Sequence, residues 1–564
     1  WQQVIDAENG KGTLPDNAVL LSFDDGYETM YNVVFPLLKA YNYPAVFAPV
    51  TGWLDTPANK KIAYADKMLD RSVFATWSQV KEMEQSGLVE VASHTHNLHN
   101  GINANPSGGQ LPAVIAPEYK NGKYETEDAY KNRLKSDFTR SVQTLVNHVG
   151  KKPRVMVWPY GQFNDVAVQL ARQAGMPHYF SLGEKIINKV GDKHIGRLLL
   201  NAETDLNTVK NYLDGIDESK QIQRVLHVDL DYVYDADKAQ QAKNLDKLID
   251  RIYRYGVTTV YLQAFSDPDG DGVADALYFP NKYLPVRDDI FGRIAWQLQT
   301  RAGVQVYAWM PVLAFDLRKS VKEAEYVIDS RTGKPLTKAY LRLSPYNKQN
   351  VEIIKSIYND LSFYAKFNGI LFHDDAFLTD FEGAEGDHAE GMVSPQAKQK
   401  TQDLIQLTHQ LTDALKPYFL RGSYSLKTAR NLYASVITNP NAEEWLAQNL
   451  KTLTDNYDTT AIMAMPYMEN EQPISQEEAY QWFASLIENV KAQAPLDKVL
   501  FEFQAVNWRT QKPIPESELI DWMTLLQKNH IYSYGYYPDN FLTNQPDLNK
   551  MKPYFSVNTN VGKP

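Results

Sequence analysis

The chain has 564 residues, a formal net charge of −10, 43% hydrophobic and 12% aromatic content, and no cysteine. That length exceeds one ordinary core, so two domains are expected, and the apolar fraction excludes a disordered chain. The acidic balance offers no basic face for nucleic acid, the missing thiols exclude disulfides, thiolate metal sites and a cysteine nucleophile, and no run is long enough to span a membrane.

Residues 1–215 alternate strand-like and helix-like pieces. "NAVLLSFDD" (17–25) reads as a strand, "YNVVFPLLKAYN" (31–42) as a helix and "PAVFAPV" (44–50) as a strand. "TWSQVKEMEQSG" (76–87) has the form of a helix with Thr76 as N-cap and Gly87 near its end. "LVEVASH" (88–94) and "RVMVWPYG" (154–161) read as strands and "DVAVQLARQAG" (165–175) as a helix, while 102–125, rich in Gly, Pro, Asn and Tyr, reads as a long loop. This is an α/β pattern. A polar stretch, "DGIDESKQ" (214–221), places the boundary between a first domain at 1–215 and a second at 222–564.

Beyond it the rhythm is stricter. Strand candidates are "RVLHVDL" (224–230), "TTVYLQAF" (258–265), "VQVYAWMPV" (304–312), "GILFHDDA" (369–376), "FLRGSYS" (419–425), "TAIMAMPY" (460–467), "KVLFEFQAV" (498–506) and "YSYGYYP" (532–538), with amphipathic stretches between. Eight buried strands alternating with helices predict a (β/α)₈ barrel of the TIM type.

In the first domain three strand ends carry chemistry. Asp24 and Asp25 are adjacent, and neighbouring carboxylates need a metal, a cation or a proton. Three of the chain's 11 histidines, His94, His96 and His99, fall within "SHTHNLH". Imidazoles plus a carboxylate such as Asp25 make a divalent-metal site with open positions. Asp24 would then be free to take a proton from the attacking water, whose pKa a metal lowers. A backbone N–H in "WPYG" (158–161) could face a developing oxyanion. A lone histidine pair or a lone "DDG" would be an ordinary surface feature or turn; the coincidence of all three at strand ends favours a site.

These segments resemble the NodB-type polysaccharide deacetylases, carbohydrate esterase family 4. The family's F-D-D-G motif stands as Phe23-Asp24-Asp25-Gly26, its S-H-T-x-x-H motif as Ser93 to His99 with one extra residue, and its P-Y/F-G ending as Pro159-Tyr160-Gly161. The resemblance implies a (β/α) deacetylase barrel in which Asp24 is the general base, Asp25, His94 and His99 hold one divalent metal, and Tyr160 supplies the oxyanion N–H. Zinc is the first choice of metal, with nickel, cobalt or iron as alternatives. His96 has no ligand role in it. Two departures stand out: Val157 occupies the place of the family's arginine, and His178 and His194 lack the local pattern of its acid histidine. With "HVDLDYVYD", "GILFHDDA" and "GYYPDNF" added, the whole chain resembles the bacterial deacetylases of poly-β-1,6-N-acetylglucosamine (PNAG) in biofilm export. Their deacetylase order is circularly permuted, which implies that the acid histidine lies upstream of Trp1 and that the first domain is truncated at its N-terminus. The same resemblance implies a periplasmic protein, anchored to the outer membrane by a lipid upstream of this chain and working with an outer-membrane export porin.

In the second domain the strand ends carry Asp229, Asp231, Trp309, Asp374, Asp375, Tyr467, Glu502 and Tyr536. Carboxylates interleaved with aromatics suit glycan cleavage, the acids serving the oxocarbenium-like transition state and the rings holding sugars. Acids also attract the amines of a partly deacetylated polymer. A barrel of this kind can bind without cleaving, and the residues alone leave both readings open, as they leave open a structural biofilm protein with a decayed metal site. The PNAG-deacetylase resemblance implies a glycoside hydrolase acting on partly deacetylated polymer. Within "FHDDA", Asp375 is expected to be the acid and Asp374 to position substrate, with Asp229, Asp231, Trp309, Tyr467, Glu502 and Tyr536 binding sugar. "DPDGDG" (267–272) begins like a calcium loop, but position twelve is Tyr278 rather than glutamate, so it reads as a substrate-facing loop.

Overall fold

A computed structural model describes residues 1–183, 187–201, 204–213, 222–336, 339–383, 393–421, 425–470 and 472–558. The chain forms two compact units, Trp1–Asp217 with Pro417–Ser425, and Glu218–Lys416 with Leu426–Pro564. The polar stretch 214–221 lies outside the described residues.

The first unit is built on parallel strands. β1 (Leu21–Asp25), β2 (Ala45–Pro49) and β3 (Val89–Val91) pair in that order. β4 (Val155–Val157), β5 (His178–Leu182) and β6 (His194–Arg197) form a second set, and a Ser93–Met156 bridge links the two. β2 is buried along its whole length, which is why "AVFAP" is an unbroken apolar run. Helix α1 (Trp77–Gln85) begins at Thr76, whose hydroxyl accepts from the Gln79 N–H while the Gln79 side chain returns the bond. The stretch 102–125 is more ordered than expected: Gly101–Asn103 pairs with Gln110–Pro112, and Tyr119–Lys120 with Lys123–Tyr124.

The second unit is a closed barrel of eight parallel strands. They are β7 (Arg224–Val228), β8 (Thr259–Gln263), β9 (Gln305–Met310), β10 (Gly369–Phe372), β11 (Lys427–Tyr433), β12 (Thr459–Met463), β13 (Val499–Gln504) and β14 (Tyr534–Tyr537). β14 closes on β7 with Tyr536 opposite Leu226. Seven strands match the expected segments; the fifth does not. Of "FLRGSYS" (419–425), residues 422–424 lie outside the described residues and Phe419 to Arg421 belong to the first unit; the barrel strand is Lys427–Tyr433. Its buried Arg430 and Asn431 interrupt the apolar run. Arg430 donates to the Ala376 carbonyl and the Tyr457 hydroxyl, and Asn431 to Glu502, so the strand is buried without being hydrophobic.

Candidate active sites

Three left-handed backbone positions gather at the strand ends of the first unit: Asp25 (φ 70°), Thr95 (φ 69°) and Tyr160 (φ 58°). Non-glycine residues occupy this region at a cost, and such strain concentrates where a site over-determines the backbone. Asp25 Oδ1 lies 3.3 Å from His94 Nε2 and 3.2 Å from His99 Nε2, and one ligand atom from each residue falls within 4.8 Å of the others. His94 Nδ1 is 2.7 Å from the Val157 carbonyl. A carbonyl only accepts, so Nδ1 carries a proton, which leaves Nε2 as the ring atom that faces Asp25 and that a metal would take. Tyr64, on a hairpin (Lys61–Tyr64 with Lys67–Asp70), donates to Asp25 Oδ2 at 2.8 Å, leaving Oδ1 for the histidines. Burial pushes the Asp25 pKa up, but the two imidazoles outweigh it and hold the carboxyl well below the usual range. The donor set fits one divalent cation.

Asp24 points elsewhere. Both its oxygens are held by Arg197, Nη1 to Oδ1 and Nη2 to Oδ2 at 2.8 Å each, and Nη1 also reaches Ser22 Oγ at 2.7 Å. The arginine missing at Val157 is thus supplied from β6. The Tyr160 ring packs 4.5 Å from that of His99 and is 40% exposed. His96 is turned away: its Nδ1 lies 2.9 Å from Thr51 Oγ1. The half-buried Asp137 carboxylate accepts the His96 and Asn97 N–H groups and fixes the loop between the two ligand histidines. Tyr64, Arg197 and Asp137 had no sequence signal, because their partners are remote in the chain.

At the C-terminal mouth of the barrel, Trp309 is central. Its ring lies 5.2 Å from His227, 5.3 Å from His373, 5.4 Å from Tyr537 and 5.5 Å from Phe265, so side chains from β7, β9 and β14 and from the end of β10 meet there. Asp374 accepts hydrogen bonds from Tyr340 (3.0 Å) and Tyr433 (2.9 Å) and pairs with His373 Nε2 at 2.9 Å. Burial raises its pKa, but His373 and the two tyrosines outweigh that and hold it below the ordinary range. Burial alone would lower His373; its two aspartate neighbours push it up to about 10, so it is an imidazolium.

Asp375 does not fit the acid role expected of it. It is fully buried, and its oxygens take the N–H groups of Val312 (3.0 Å), Leu313 (2.6 Å) and Ala314 (2.6 Å). A carboxyl group holding three backbone donors is fixed in place and fastens the end of β9 to that of β10. Asp374, expected only to position substrate, occupies the mouth instead. Tyr536 is likewise misassigned. Strand alternation turns it outward, where its hydroxyl donates to Asp539 beside Arg251, and Tyr537 is the inward residue. Glu502 is 1% exposed, bound to His227 at 2.6 Å and Asn431 at 2.8 Å; it is a floor group, not a sugar contact. Asp231 is occupied by Arg287, Tyr278 and Ser266, and Tyr467 donates to Glu518. Asp267 closes its own turn by accepting from Gly270, Asp271 and Gly272. His373, Tyr340 and Tyr433 went unnoticed in the sequence, since a histidine beside two aspartates and scattered tyrosines have no spacing rule.

The sequence profile described as "Polysaccharide deacetylase" matches residues 11–179, and "Hypothetical glycosyl hydrolase family 13" matches 227–537. Over 98% of its length the chain is 40% identical to the poly-β-1,6-N-acetyl-D-glucosamine N-deacetylase of Escherichia coli K12, covering 85% of that protein. The chain belongs to the poly-β-1,6-N-acetyl-D-glucosamine N-deacetylase family. A solved relative is the PgaB (BpsB) glycoside hydrolase domain of Bordetella bronchiseptica. It is 39% identical with a TM-score of 0.55, matching 60% of this chain and all of that one. A de-N-acetylase of Aggregatibacter actinomycetemcomitans is 67% identical over 38% of this chain and 81% of its own, with a TM-score of 0.37. In this PNAG-deacetylase family frame, the deacetylase profile falls within the first unit and includes Asp25, His94, His99 and Tyr160 but not Arg197, and the hydrolase profile runs through the barrel from Asp229 to Tyr537 and includes the 417–425 segment of the first unit.

Proposed function

We propose that the chain removes acetyl groups from PNAG in its first unit and cleaves the partly deacetylated polymer in its second. The observation that carries the first half is the convergence of Asp25, His94 and His99 beside an Asp24 whose orientation Arg197 fixes. A divalent ion held by Asp25, His94 and His99 supplies Lewis-acid activation of water and carbonyl; we take it to be zinc. Asp24, aimed by the guanidinium fork, takes the proton of the attacking water. The backbone at Tyr160, held in the left-handed region, turns its N–H toward the carbonyl oxygen of the acetyl group. In the barrel the ionised Asp374 faces the cationic charge that develops at the anomeric carbon, and the acids around it favour a polymer carrying free amines. The family likeness supports placing the protein in the periplasm, lipid-anchored and beside an export porin.

The test is the full chain on fully acetylated and partly deacetylated PNAG. The expected result is chelator-sensitive acetate release, and chelator-insensitive release of reducing ends from the partly deacetylated polymer alone. Acetate release that survives full metal removal would overturn the first half, and equal cleavage of both polymers would overturn the specificity. Absence of new reducing ends would make the barrel a binding module.

A further inference from the structure

Gly272, at the end of the acidic stretch 267–272, has φ 78°, and a Cβ there would collide with Cδ1 and Cε1 of the Tyr340 ring. The ring therefore rests on a bare Cα, an approach that only glycine permits. The same ring packs 5.5 Å from His373 and 6.1 Å from Phe377, and its hydroxyl donates to Asp374 at 3.0 Å. The loop is tied down on both sides of this contact. Before it, the Asp267 carboxylate accepts the N–H groups of Gly270, Asp271 and Gly272, and the Asp267 N–H donates to Asp231 at 3.0 Å. Asp231 is itself held by Arg287, Tyr278 and Ser266. After it, the Val273 N–H donates to Asp271 at 2.9 Å, the Ala274 N–H donates to the Ala314 carbonyl at 2.9 Å, and the Ala274 carbonyl accepts from Asp316 at 3.1 Å. A loop fastened in this way has little room to yield to an added methyl group.

We propose that Gly272 is a positioning residue of the barrel's hydrolytic reaction: it leaves the space that seats the Tyr340 ring, and Tyr340 in turn aims Asp374. This rests on the hydrolase reading above. Asp374 is oriented by Tyr340, Tyr433 and His373. Tyr433 is the last residue of β11, and His373 directly follows β10, so the barrel itself places both. Tyr340 comes from the long connection after β9. Its carbonyl accepts from Arg342 Nε at 3.3 Å, which holds the backbone and leaves the ring to be seated by what it packs on. Asp267 serves that seat by closing the turn whose last residue is Gly272. A methyl group at position 272 pushes the ring off the seat and carries its hydroxyl away from Asp374, and a reacting group misplaced by about 1 Å loses much of its rate.

The experiment compares full chains of wild type, Gly270→Ala, Gly272→Ala, Tyr340→Phe and the Gly272→Ala, Tyr340→Phe double variant, by reducing-end release from partly deacetylated PNAG and by thermal unfolding. Gly270 is the control: it shares the left-handed region, at φ 74°, but a Cβ there meets nothing within 4 Å. Both alanine variants carry the same backbone penalty, so both should lower the unfolding midpoint, and Gly270→Ala should keep the kcat of wild type. Gly272→Ala should lose kcat roughly 10- to 100-fold with KM little changed. Tyr340→Phe keeps the ring, removes the hydroxyl and should fall by a similar factor. Both changes act through that hydroxyl, so the double variant should be no worse than the poorer single one. Should Gly272→Ala fail to fold, adding Tyr340→Ala removes the ring that the methyl group meets and should restore the fold; a chain that stays unfolded would overturn the proposal. Equal kcat losses in Gly270→Ala and Gly272→Ala, wild-type kcat in Gly272→Ala, or losses that multiply in the double variant would overturn it too, while leaving the hydrolase reading intact. A wild type that releases no reducing ends would overturn the hydrolase reading and this role with it.

Discussion

Arg197 and Asp24 meet fork to fork, two bonds of 2.8 Å from the end of β6 to the end of β1. The pair is part-buried, the guanidinium is planar, and the two bonds fix the rotation of the carboxylate. Arg197→Lys keeps the charge but loses the fork. We expect it to lower deacetylation kcat roughly 10- to 100-fold, as misplacement of a positioned base does, while leaving bound metal stoichiometry unchanged. Metal analysis beside acetate-release kinetics checks this. Loss of metal in Arg197→Lys would mean that the fork supports the whole strand end rather than Asp24.

Replacing Asp25, His94 or His99 by alanine should abolish metal binding measured by calorimetry on the full chain, and His96→Ala should not, because His96 faces Thr51. Tyr64→Phe removes the hydroxyl that holds Asp25 Oδ2. Loss of a partner behind a ligand weakens metal binding about 10- to 100-fold, so Tyr64→Phe should sit between wild type and Asp25→Ala. If His96→Ala strips the metal and His99→Ala does not, the donor set is wrong.

What the sequence made legible follows from range. Asp24, Asp25, His94 and His99 lie in short motifs at the ends of apolar runs, and the helix at Thr76 carries its own cap, so local pattern suffices. Arg197 acts on Asp24 from 173 residues away, and Asn431 on Glu502 from 71; only the closed topology brings them together. The Asp374–Asp375 choice failed for a different reason. Period-two alternation says that one neighbour points inward and the other does not, but the phase is set where β10 ends, at Phe372. Polar β11 was hidden because Arg430 and Asn431 are buried by partners rather than by hydrophobicity.

Asp374 and Asp375 should therefore separate in experiment. Asp375→Ala leaves three buried N–H groups without an acceptor, at about 1–3 kcal/mol each, so its unfolding midpoint should drop sharply. Asp375→Asn keeps one acceptor oxygen and should drop less, with folded protein cleaving polymer within about tenfold of wild type. Asp374→Asn should unfold near wild type and lose cleavage roughly 10²-fold or more. Thermal unfolding and reducing-end release on the same preparations decide it. A stable, inactive Asp375→Asn would return the chemistry to Asp375.

His373 sets the pH range in which Asp374 works. The imidazolium lies 2.9 Å from Asp374 and, with Tyr340 and Tyr433, overcomes the burial that would otherwise raise the carboxyl. A carboxylate with a lowered pKa stays ionised as pH falls, so cleavage that needs the ionised form persists into acid and is lost only below that lowered value. His373→Gln keeps size and a hydrogen-bond donor but removes the charge. Burial is then opposed by the tyrosines alone, Asp374 titrates higher, and the acid limb of the pH–kcat profile should move upward by about one unit or more. His373 itself is pushed up to about 10 by Asp374 and Asp375, so the acid limb cannot come from the imidazole taking up a proton near neutrality. Profiles of wild type and His373→Gln on partly deacetylated PNAG provide the check. An unmoved acid limb would show that the tyrosine hydroxyls, rather than the imidazolium, keep Asp374 ionised, and a Tyr340→Phe, Tyr433→Phe double variant should then move it instead.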